Sequence, residues 1–168
     1  MKKIKISIIA AIGKNRELGK KGQIPWHISE DFRRFRTLTS GHTVIMGRKT
    51  WESLPVKPLP GRTNIIVTRD SAFSLARPGL ARLAGSFEGA IEIAKKAERN
   101  NEIFIIGGGQ IYQQAIQKGL VDKLYLTIVE GNFKADTFFP DYSQFKKIVF
   151  EESHESEGYK YKFVNLEK

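Results

Sequence analysis

The chain contains two similar stretches, Val44-Ile45-Met46-Gly47 and Ile105-Ile106-Gly107-Gly108, in which apolar residues run into glycine. Short β-branched runs of this kind are typical of buried strands, and the residues after each glycine predict the start of a helix. Backbone N–H groups at a helix start favour phosphate, and glycine lets a ligand approach the backbone. A sharp turn would explain either stretch alone. The two together, with Arg48-Lys49-Thr50 following the first, favour phosphate binding.

Strand-like and helix-like patterns alternate along the rest of the chain. Strands are predicted at residues 5–12, 43–46, 64–68, 80–84, 103–106, 123–129, 146–153 and 159–166. Helices are predicted from an N-cap at Ser29 to Ser40-Gly41, as a short second helix opening at residues 47–50, and at 87–99 and 110–118. Strand–helix–strand units followed by a hairpin around Glu157-Gly158 predict a mostly parallel mixed α/β sheet with helices on both faces. Neither repeats nor composition breaks divide the sequence, so we expect one domain over residues 1–168.

Composition excludes several classes of protein. The 168 residues include 40% hydrophobic and 27% charged residues, which is typical of a globular domain. Because cysteine is absent, disulfides, thiolate metal sites and cysteine nucleophiles are impossible. The three histidines have no metal-ligand spacing, so no metal site is expected. A dinucleotide-binding fingerprint would need glycine where Tyr112 stands, and a P-loop would need glycine directly before Lys49.

The positive charge is concentrated in the first part of the chain. The formal net charge is +10, and residues 1–62 carry all of it, with 14 Lys or Arg against 4 Asp or Glu. This imbalance predicts an anionic partner such as a phosphate, a carboxylate or nucleic acid, although a solubilising surface is the alternative. The sequence has no RNP motif or recognition-helix signature, so nucleic acid is not expected as the main partner.

The apolar run at residues 6–13 is interpreted as a buried first strand rather than a signal peptide. It is short and β-branched, and charged residues follow it without a small-residue cleavage site. Apolar runs elsewhere fall short of the roughly 18 residues needed to cross a bilayer. We therefore expect a cytoplasmic protein that does not associate with membranes.

Asp31 is the candidate functional carboxylate. It follows Glu30 in the first turn of the predicted helix, one turn before Phe35 and two before Leu38. A first-turn acid commonly complements the helix dipole, and Phe35 with Leu38 commonly forms core. A carboxylate on an aromatic face can also accept two parallel hydrogen bonds from a flat, nitrogen-rich ring.

The ordered set of motifs resembles the dihydrofolate reductase family. The matching segments are Ile8-Ile9-Ala10-Ala11, Ile24-Pro25-Trp26, Asp31-Phe32 with Phe35, residues 44–53, Leu59-Pro60-Gly61-Arg62, residues 105–112, Tyr125-Leu126-Thr127 and residues 136–140. This resemblance implies one eight-stranded, mostly parallel sheet with an antiparallel C-terminal hairpin. It also implies NADPH-dependent reduction of 7,8-dihydrofolate to tetrahydrofolate, with hydride transfer to pterin C6 and protonation of N5.

The resemblance implies roles on the substrate side. Asp31 would bind the pterin 2-amino group and N3, and Trp26 would hold an ordered water beside it. Thr127 and Ile24 would complete the catalytic set, and Arg62 would pair with the glutamate α-carboxylate of the substrate. The rest of the implied pocket consists of Ile9, Ala11, Phe32, Phe35, Leu54 and Ile106.

The resemblance also implies a cofactor site. Arg69 would meet the adenosine 2′-phosphate and favour NADPH over NADH, and a cis peptide would join Gly107 to Gly108. The implied contacts at the nicotinamide end are Ala11, Leu18 and Gly19, and Ile12 is a further implied cofactor contact. Those of the two helix starts and the adenosine side are Gly47, Arg48, Lys49, Thr50, Thr68, Arg69, Ile106, Gly107, Gly108, Gly109, Gln110, Ile111 and Tyr112.

Two further readings of the sequence stay open. A related reductase could act on another pterin or pyrimidine, as in riboflavin synthesis, but Asp31, Phe35 and Arg62 together favour folate. The basic first part of the chain permits nucleic-acid binding without any motif that supports it. Nothing in the sequence demands more than a monomer.

Overall fold

The computed structural model describes residues 3–20, 24–75, 79 and 81–168. Within these ranges the strands are β1 Lys5–Gly13, β2 Glu17–Gly19, β3 Thr43–Gly47, β4 Thr63–Val67, β5 Arg82–Ala84, β6 Glu102–Gly107, β7 Lys123–Val129, β8 Thr137–Phe138, β9 Lys147–Ser156 and β10 Tyr159–Glu167. The helices are α1 Ser29–Thr39, α2 Arg48–Ser53, α3 Phe87–Ala97 and α4 Gly109–Gln117. These bounds follow the predicted elements closely. The prediction at Leu80 lies outside the described residues, and the strand begins at Arg82.

The main sheet has eight strands in the order β5-β4-β3-β6-β1-β7-β10-β9. Its first six strands are parallel to one another, because a helix or long connection returns the chain to the same end of the sheet. The hairpin of β9 and β10 adds antiparallel to β7. Its turn contains Glu157 and Gly158, both with positive φ. The predicted mixed sheet with an antiparallel C-terminal hairpin is confirmed.

Helices cover both faces of this sheet. On one face α3 and α4 pack against the alternate β1 residues Ile6, Ile8, Ala10 and Ile12. On the other face Ile9 of β1 packs in a cluster with Trp51 of α2 and Phe35 of α1. The period-2 alternation of β1 therefore separates two apolar layers. Helix α1, which carries Asp31, and the turn at Gly47 border this second layer.

The prediction that Ser29 caps α1 is wrong. The helix begins at Ser29, and Ile28 occupies the cap position without a side-chain hydrogen bond. The Ser29 backbone N–H instead donates to Glu157 Oε1 of the C-terminal hairpin at 2.7 Å. A partner distant in sequence thus satisfies a helix-start donor that a local side chain was expected to satisfy.

The loop after β1 contains a strand that the sequence pattern did not predict. β2 pairs antiparallel with the two-residue β8, and both are too short to show a strand period. Glu17 of β2 is 3% exposed, and its Oε1 accepts the Asn15 backbone N–H at 2.7 Å. The buried carboxylate therefore holds the turn that leads from β1 into β2.

Replacement of Phe104 tests the layer beneath α1 and α2. Phe104 is 1% exposed, and its ring centroid lies 5.2 Å from that of His42 and 5.6 Å from that of Tyr125. Phe104→Ala is expected to lower the free energy of unfolding by about 3–5 kcal/mol, because it leaves a cavity. Urea unfolding measures this. Phe150→Ala is the matched control, since Phe150 is 41% exposed on β9. Equal losses in the two variants would contradict the assigned core.

Candidate functional site

The two glycine turns meet at the carboxyl ends of neighbouring strands. β3 pairs with β6, and Met46 lies opposite Gly107. A Cβ atom built on Gly47 would lie 3.3 Å from Ile111 Cγ1 and 3.9 Å from both Gly107 O and Gly108 N. Thr50 Oγ1 lies 3.5 Å from Cβ positions built on Gly107 and on Gly108. The starts of α2 and α4 therefore form one surface that presents backbone N–H groups.

Gly107 has a conformation that favours glycine. Its φ is +128°, and the peptide bond to Gly108 is cis, as the family resemblance implies. A Cβ atom at Gly107 would lie 3.2 Å from the Tyr112 hydroxyl. That hydroxyl donates to the Ile9 carbonyl at 2.9 Å, which ties α4 to β1. A side chain at position 107 would therefore crowd the Tyr112 hydroxyl.

The cations of the first helix start differ in their partners. Arg48 Nε donates to Glu52 at 2.8 Å, and Arg48 Nη1 donates to Asp70 at 2.9 Å. These carboxylates, with Glu52 the stronger influence, raise the pKa of Arg48. Lys49 is exposed beside it. The guanidinium of Arg48 is thus held in place at the edge of the surface.

A second anion-accessible region lies beyond the ends of β4 and β5. A cavity of about 480 Å³ opens there. Its lining residues are Val67, Arg69, Gly85, Ser86, Phe87, Glu88, Gln114, Gln117 and Lys118. Thr68 anchors this end of β4 through its backbone N–H, which donates to the Ala84 carbonyl at 2.9 Å. Lys118 forms an ion pair with Glu88 across the cavity wall, and Arg69 is exposed.

The β2–β8 ribbon lies against the start of α4. A Cβ atom on Gly109 would lie 2.9 Å from Thr137 Cγ2 and 3.6 Å from Leu18 Cδ1. The Gly19 carbonyl accepts the Asp136 backbone N–H at 3.0 Å. Leu18 and Gly19 are thereby brought to the second glycine turn. Ile12 is fully buried and packs in the same apolar cluster as Leu18 and α4.

Asp31 is joined to the middle of the sheet by a hydrogen bond. Thr127 Oγ1 donates to Asp31 Oδ1 at 2.5 Å, and Thr127 is 2% exposed on β7 opposite Ala11 of β1. Burial raises the pKa of Asp31, while the Thr127 hydrogen bond and the charge of Arg34 act in the opposite direction. At neutral pH, the ionised form of this carboxyl is therefore less strongly favoured over the protonated form than it is for an aspartate in water.

The carboxyl lies at the boundary between two apolar clusters. One contains Ile9, Met46, Trp51, Ile106 and Tyr125, with Phe35, Leu38 and Leu54 packed at its edge. The other contains Trp26, Ile28, Val129, Tyr161 and Phe163, with Ala11 at its edge. Ile28 precedes Asp31 by three residues and Phe35 follows it by four, so α1 carries the carboxyl from one cluster to the other. The boundary therefore combines apolar side chains with one polar hydrogen-bond acceptor, the Asp31 carboxyl.

Arg62 precedes β4 and contacts the last residue of α1, Thr39. Its Nε donates to the Pro60 carbonyl at 2.9 Å and its Nη1 to Thr39 Oγ1 at 3.0 Å. The guanidinium carbon lies 5.9 Å from the Phe35 ring centroid. Burial lowers the pKa of Arg62, and the Arg36 charge adds to this. Eight residues separate Asp31 from Thr39, about 12 Å along the helix axis.

Residues 5–168 match the family model described as Dihydrofolate reductase. The chain belongs to the dihydrofolate reductase family. A Dihydrofolate reductase of Neisseria meningitidis serogroup B is 44% identical over 165 residues, which cover 96% of this chain and 97% of the relative. A Dihydrofolate reductase type 3 of Salmonella typhimurium is 41% identical over 137 residues, covering 82% and 79%. A Dihydrofolate reductase of Staphylococcus aureus is 37% identical over 138 residues, with the same coverage.

Three residues that the family resemblance places near Asp31 differ in their environments. Trp26 is 6% exposed, and its ring packs edge-on against Phe133 with centroids 4.9 Å apart. Phe32 is 49% exposed, and its ring centroid lies 5.2 Å from that of His27. Ile24 is 55% exposed. In this dihydrofolate reductase family member, Trp26 therefore belongs to the cluster beside Ala11, while Phe32 and Ile24 are surface residues.

Sequence analysis of this family member did not identify Arg34. Its Nη2 donates to Asn165 Oδ1 at 2.6 Å, and its guanidinium carbon lies 4.4 Å from the Phe163 ring centroid. Both partners belong to β10, more than 120 residues away along the chain. The sequence signal that could have identified Arg34 is its position three residues after Asp31, because residues one helical turn apart are neighbours on a helix.

Among the residues that the structure describes, no group of three or more His, Asp or Glu side chains is arranged to hold a metal ion. Every helix in that part of the chain is too short or too polar to cross a lipid bilayer.

Proposed function

We propose that this chain reduces 7,8-dihydrofolate to 5,6,7,8-tetrahydrofolate with NADPH, as the names of its relatives suggest. One arrangement carries the proposal: the Asp31 carboxyl lies in the first turn of α1 at an apolar boundary, and the Arg62 guanidinium contacts Thr39 at the other end of that helix. This suits an elongated ligand with a nitrogen-rich ring at one end and a carboxylate at the other. NADPH, when bound, supplies the hydride that reaches pterin C6, and a proton is added at N5.

Asp31 binds and orients the pterin ring. Its carboxylate accepts hydrogen bonds from the 2-amino group and from N3–H, a paired geometry that fixes the plane of the ring. Thr127 holds one carboxylate oxygen, which limits the orientations that the carboxylate adopts. The ring packs between the two clusters, against Ile9, Ala11 and Ile106. Phe35 and Leu54 face the benzoyl part of the substrate.

Asp31 assists protonation at N5 through its charge, and water delivers the proton. A carboxylate in an apolar setting stabilises a developing positive charge on the ring more strongly than it would in bulk water. Trp26, packed in the cluster beside Ala11, is positioned to hold that water and exclude others. Ile24 and Phe32, which are exposed here, are proposed to cover the ring from the solvent side.

Arg62 binds the α-carboxylate of the substrate's glutamate. Its hydrogen bonds to Pro60 and Thr39 restrict the guanidinium plane before ligand binds, and further N–H donors stay available. A planar guanidinium binds a carboxylate through two parallel hydrogen bonds, which a lysine ammonium does not match. A ligand without this carboxylate, such as a free pterin or pyrimidine, would gain nothing from Arg62.

The paired glycine turns and the Arg69 cavity fit NADPH. Gly47, Gly107, Gly108 and Gly109, with the N–H groups of Gln110 and Ile111, allow close approach of the pyrophosphate to the starts of α2 and α4. Arg48, Lys49 and Thr50 add charge and hydrogen-bond donors there. Arg69 faces the 2′-phosphate beside the 480 Å³ cavity, and this contact distinguishes NADPH from NADH. Leu18 and Gly19 flank the nicotinamide.

Asp31→Asn is expected to lower turnover at neutral pH by about 10²-fold or more while leaving NADPH binding unchanged. The asparagine amide keeps an acceptor for Thr127 but lacks the negative charge. Oxidation of NADPH at 340 nm measures turnover, and fluorescence quenching measures cofactor binding. Asp141→Asn, an exposed aspartate on the loop before β9, is the control. Turnover near that of the unaltered protein would refute the role of Asp31.

The same variant tests the pKa of Asp31. Burial raises this pKa above its unfolded value, so the group favours folding at low pH, and that contribution is lost as pH rises through the folded pKa. The amide that replaces the carboxyl does not ionise in this pH range. Asp31→Asn should therefore be at least as stable as the unaltered protein at pH 7 and gain least near pH 3, as urea unfolding would measure.

Arg62→Leu is expected to raise KM for dihydrofolate about 10- to 100-fold, the loss expected for a charge-assisted hydrogen-bond pair. KM for NADPH should not change. Arg62→Lys should recover only part of the loss, because the ammonium cannot form the paired contact. An equal rise in both KM values would contradict the carboxylate role.

Arg69→Ala is expected to narrow the preference for NADPH over NADH, measured as the ratio of kcat/KM values. Removing the guanidinium weakens binding of the 2′-phosphate and leaves the rest of the dinucleotide contacts in place. Arg99→Ala, the same change at an exposed position after α3, is the control. If the ratio stays constant, the 2′-phosphate is recognised elsewhere.

A further inference from the structure

Arg34 is a cation held in a defined position one helical turn from Asp31. Its Nη2 donates to Asn165 Oδ1 at 2.6 Å, and its guanidinium lies 4.4 Å from the Phe163 ring centroid. Stacking on a ring and donation to an amide restrict both the plane and the direction of the guanidinium. The charge is therefore fixed between α1 and β10 rather than free in solvent.

The partners of Arg34 flank the residue that binds Asp31. On β10, Phe163 lies opposite Thr127 and Asn165 lies opposite Tyr125. Thr127 donates to Asp31. The sheet register thus places Phe163, against which the cation lies, directly opposite the residue whose hydroxyl holds the Asp31 carboxyl.

Other ionisable groups face this position from every neighbouring element. They are Glu30 on α1, Tyr112 on α4, Tyr125 on β7, Glu152 and His154 on β9, and Tyr161 on β10. Tyr161 donates to Glu30 Oε2 at 2.6 Å, and His154 Nε2 lies 2.5 Å from Glu152 Oε1. Glu30 and Glu152 are thus paired with Tyr161 and His154. The charge of Arg34, by contrast, acts on Asp31 and opposes the rise in its pKa that burial causes.

We propose that Arg34 is a positioning residue whose fixed positive charge keeps Asp31 ionised when a ring ligand enters. Burial by itself favours the neutral acid, which has a donor in place of one acceptor and so matches only half of an amidine-like edge. With the cation in place, both carboxylate oxygens are acceptors. This inference rests on the proposed function, and it deepens the role of Asp31 there.

The experiment compares Arg34→Gln, which removes the charge, with Arg34→Lys, which keeps it. The midpoint of Asp31 ionisation is followed by the carboxyl carbon NMR signal of the ligand-free protein. Arg34→Gln should raise this midpoint by about one pH unit. Arg34→Lys should stay near the unaltered protein. Arg33→Gln is the matched control, because it makes the same change at the neighbouring, exposed arginine.

A second measurement is the pH dependence of kcat with dihydrofolate and NADPH. Its midpoint should move with that of Asp31 in Arg34→Gln and not in Arg33→Gln. If the unaltered protein has no such turnover, the proposed function fails, while the NMR titration still decides the role of Arg34.

Three results would overturn the inference. They are an unchanged midpoint in Arg34→Gln, an equal rise in Arg33→Gln, or a rise in Arg34→Lys as large as in Arg34→Gln. Should Arg34→Gln fail to fold, Asn165→Ala replaces it. That variant keeps the charge but frees the guanidinium, and it should raise the Asp31 midpoint by a smaller amount. An unchanged midpoint there would also overturn the inference.

Discussion

The hydrogen bond from Thr127 to Asp31 joins the first turn of α1 to the middle of the sheet. A buried acceptor without a partner costs about 1–3 kcal/mol, and a charged one costs more. The carboxyl is half-buried between two apolar clusters, and burial disfavours its charged form. The Thr127 hydroxyl and the guanidinium of Arg34 reduce this free-energy cost. Everything proposed for the substrate depends on this carboxyl being held in one orientation at that boundary.

Helix α1 and the turn at Gly47 border one apolar layer of the fold, and the turn at Gly107-Gly108 lies beside Gly47. The β3–β6 pairing brings Gly47 beside Gly107 and Gly108, and the cluster beneath them contains Ile9 and Ile106. β1 lies next to β6, and its Ile9 carbonyl accepts the hydroxyl of Tyr112, just after the second turn. In the proposed function, the ligand on the turns and the ligand at Asp31 both lie against the apolar cluster that contains Ile9 and Ile106.

Part of the positive charge of the first 62 residues is held in defined positions by specific partners. Arg48 is held by Glu52 and Asp70, Arg34 by Asn165 and Phe163, and Arg62 by Pro60 and Thr39. Each of these guanidinium groups has a fixed position near a proposed site. Part of the basic composition therefore consists of cations with defined positions, on α1, on α2 and in the loop before β4.

The sequence by itself determined the alternation of strands and helices, the two glycine turns and the candidate carboxylate, because these depend on local periodicity and on side-chain chemistry that is visible along the chain. It also determined the terminal hairpin. The start of α1, the β2–β8 pair and the anchors of Arg34 were decided only by the tertiary structure. Glu157 replaces the expected Ser29 cap, and Asn165 fixes Arg34, across separations of more than 120 residues. Local propensity carries no information about partners that meet only when the sheet has formed.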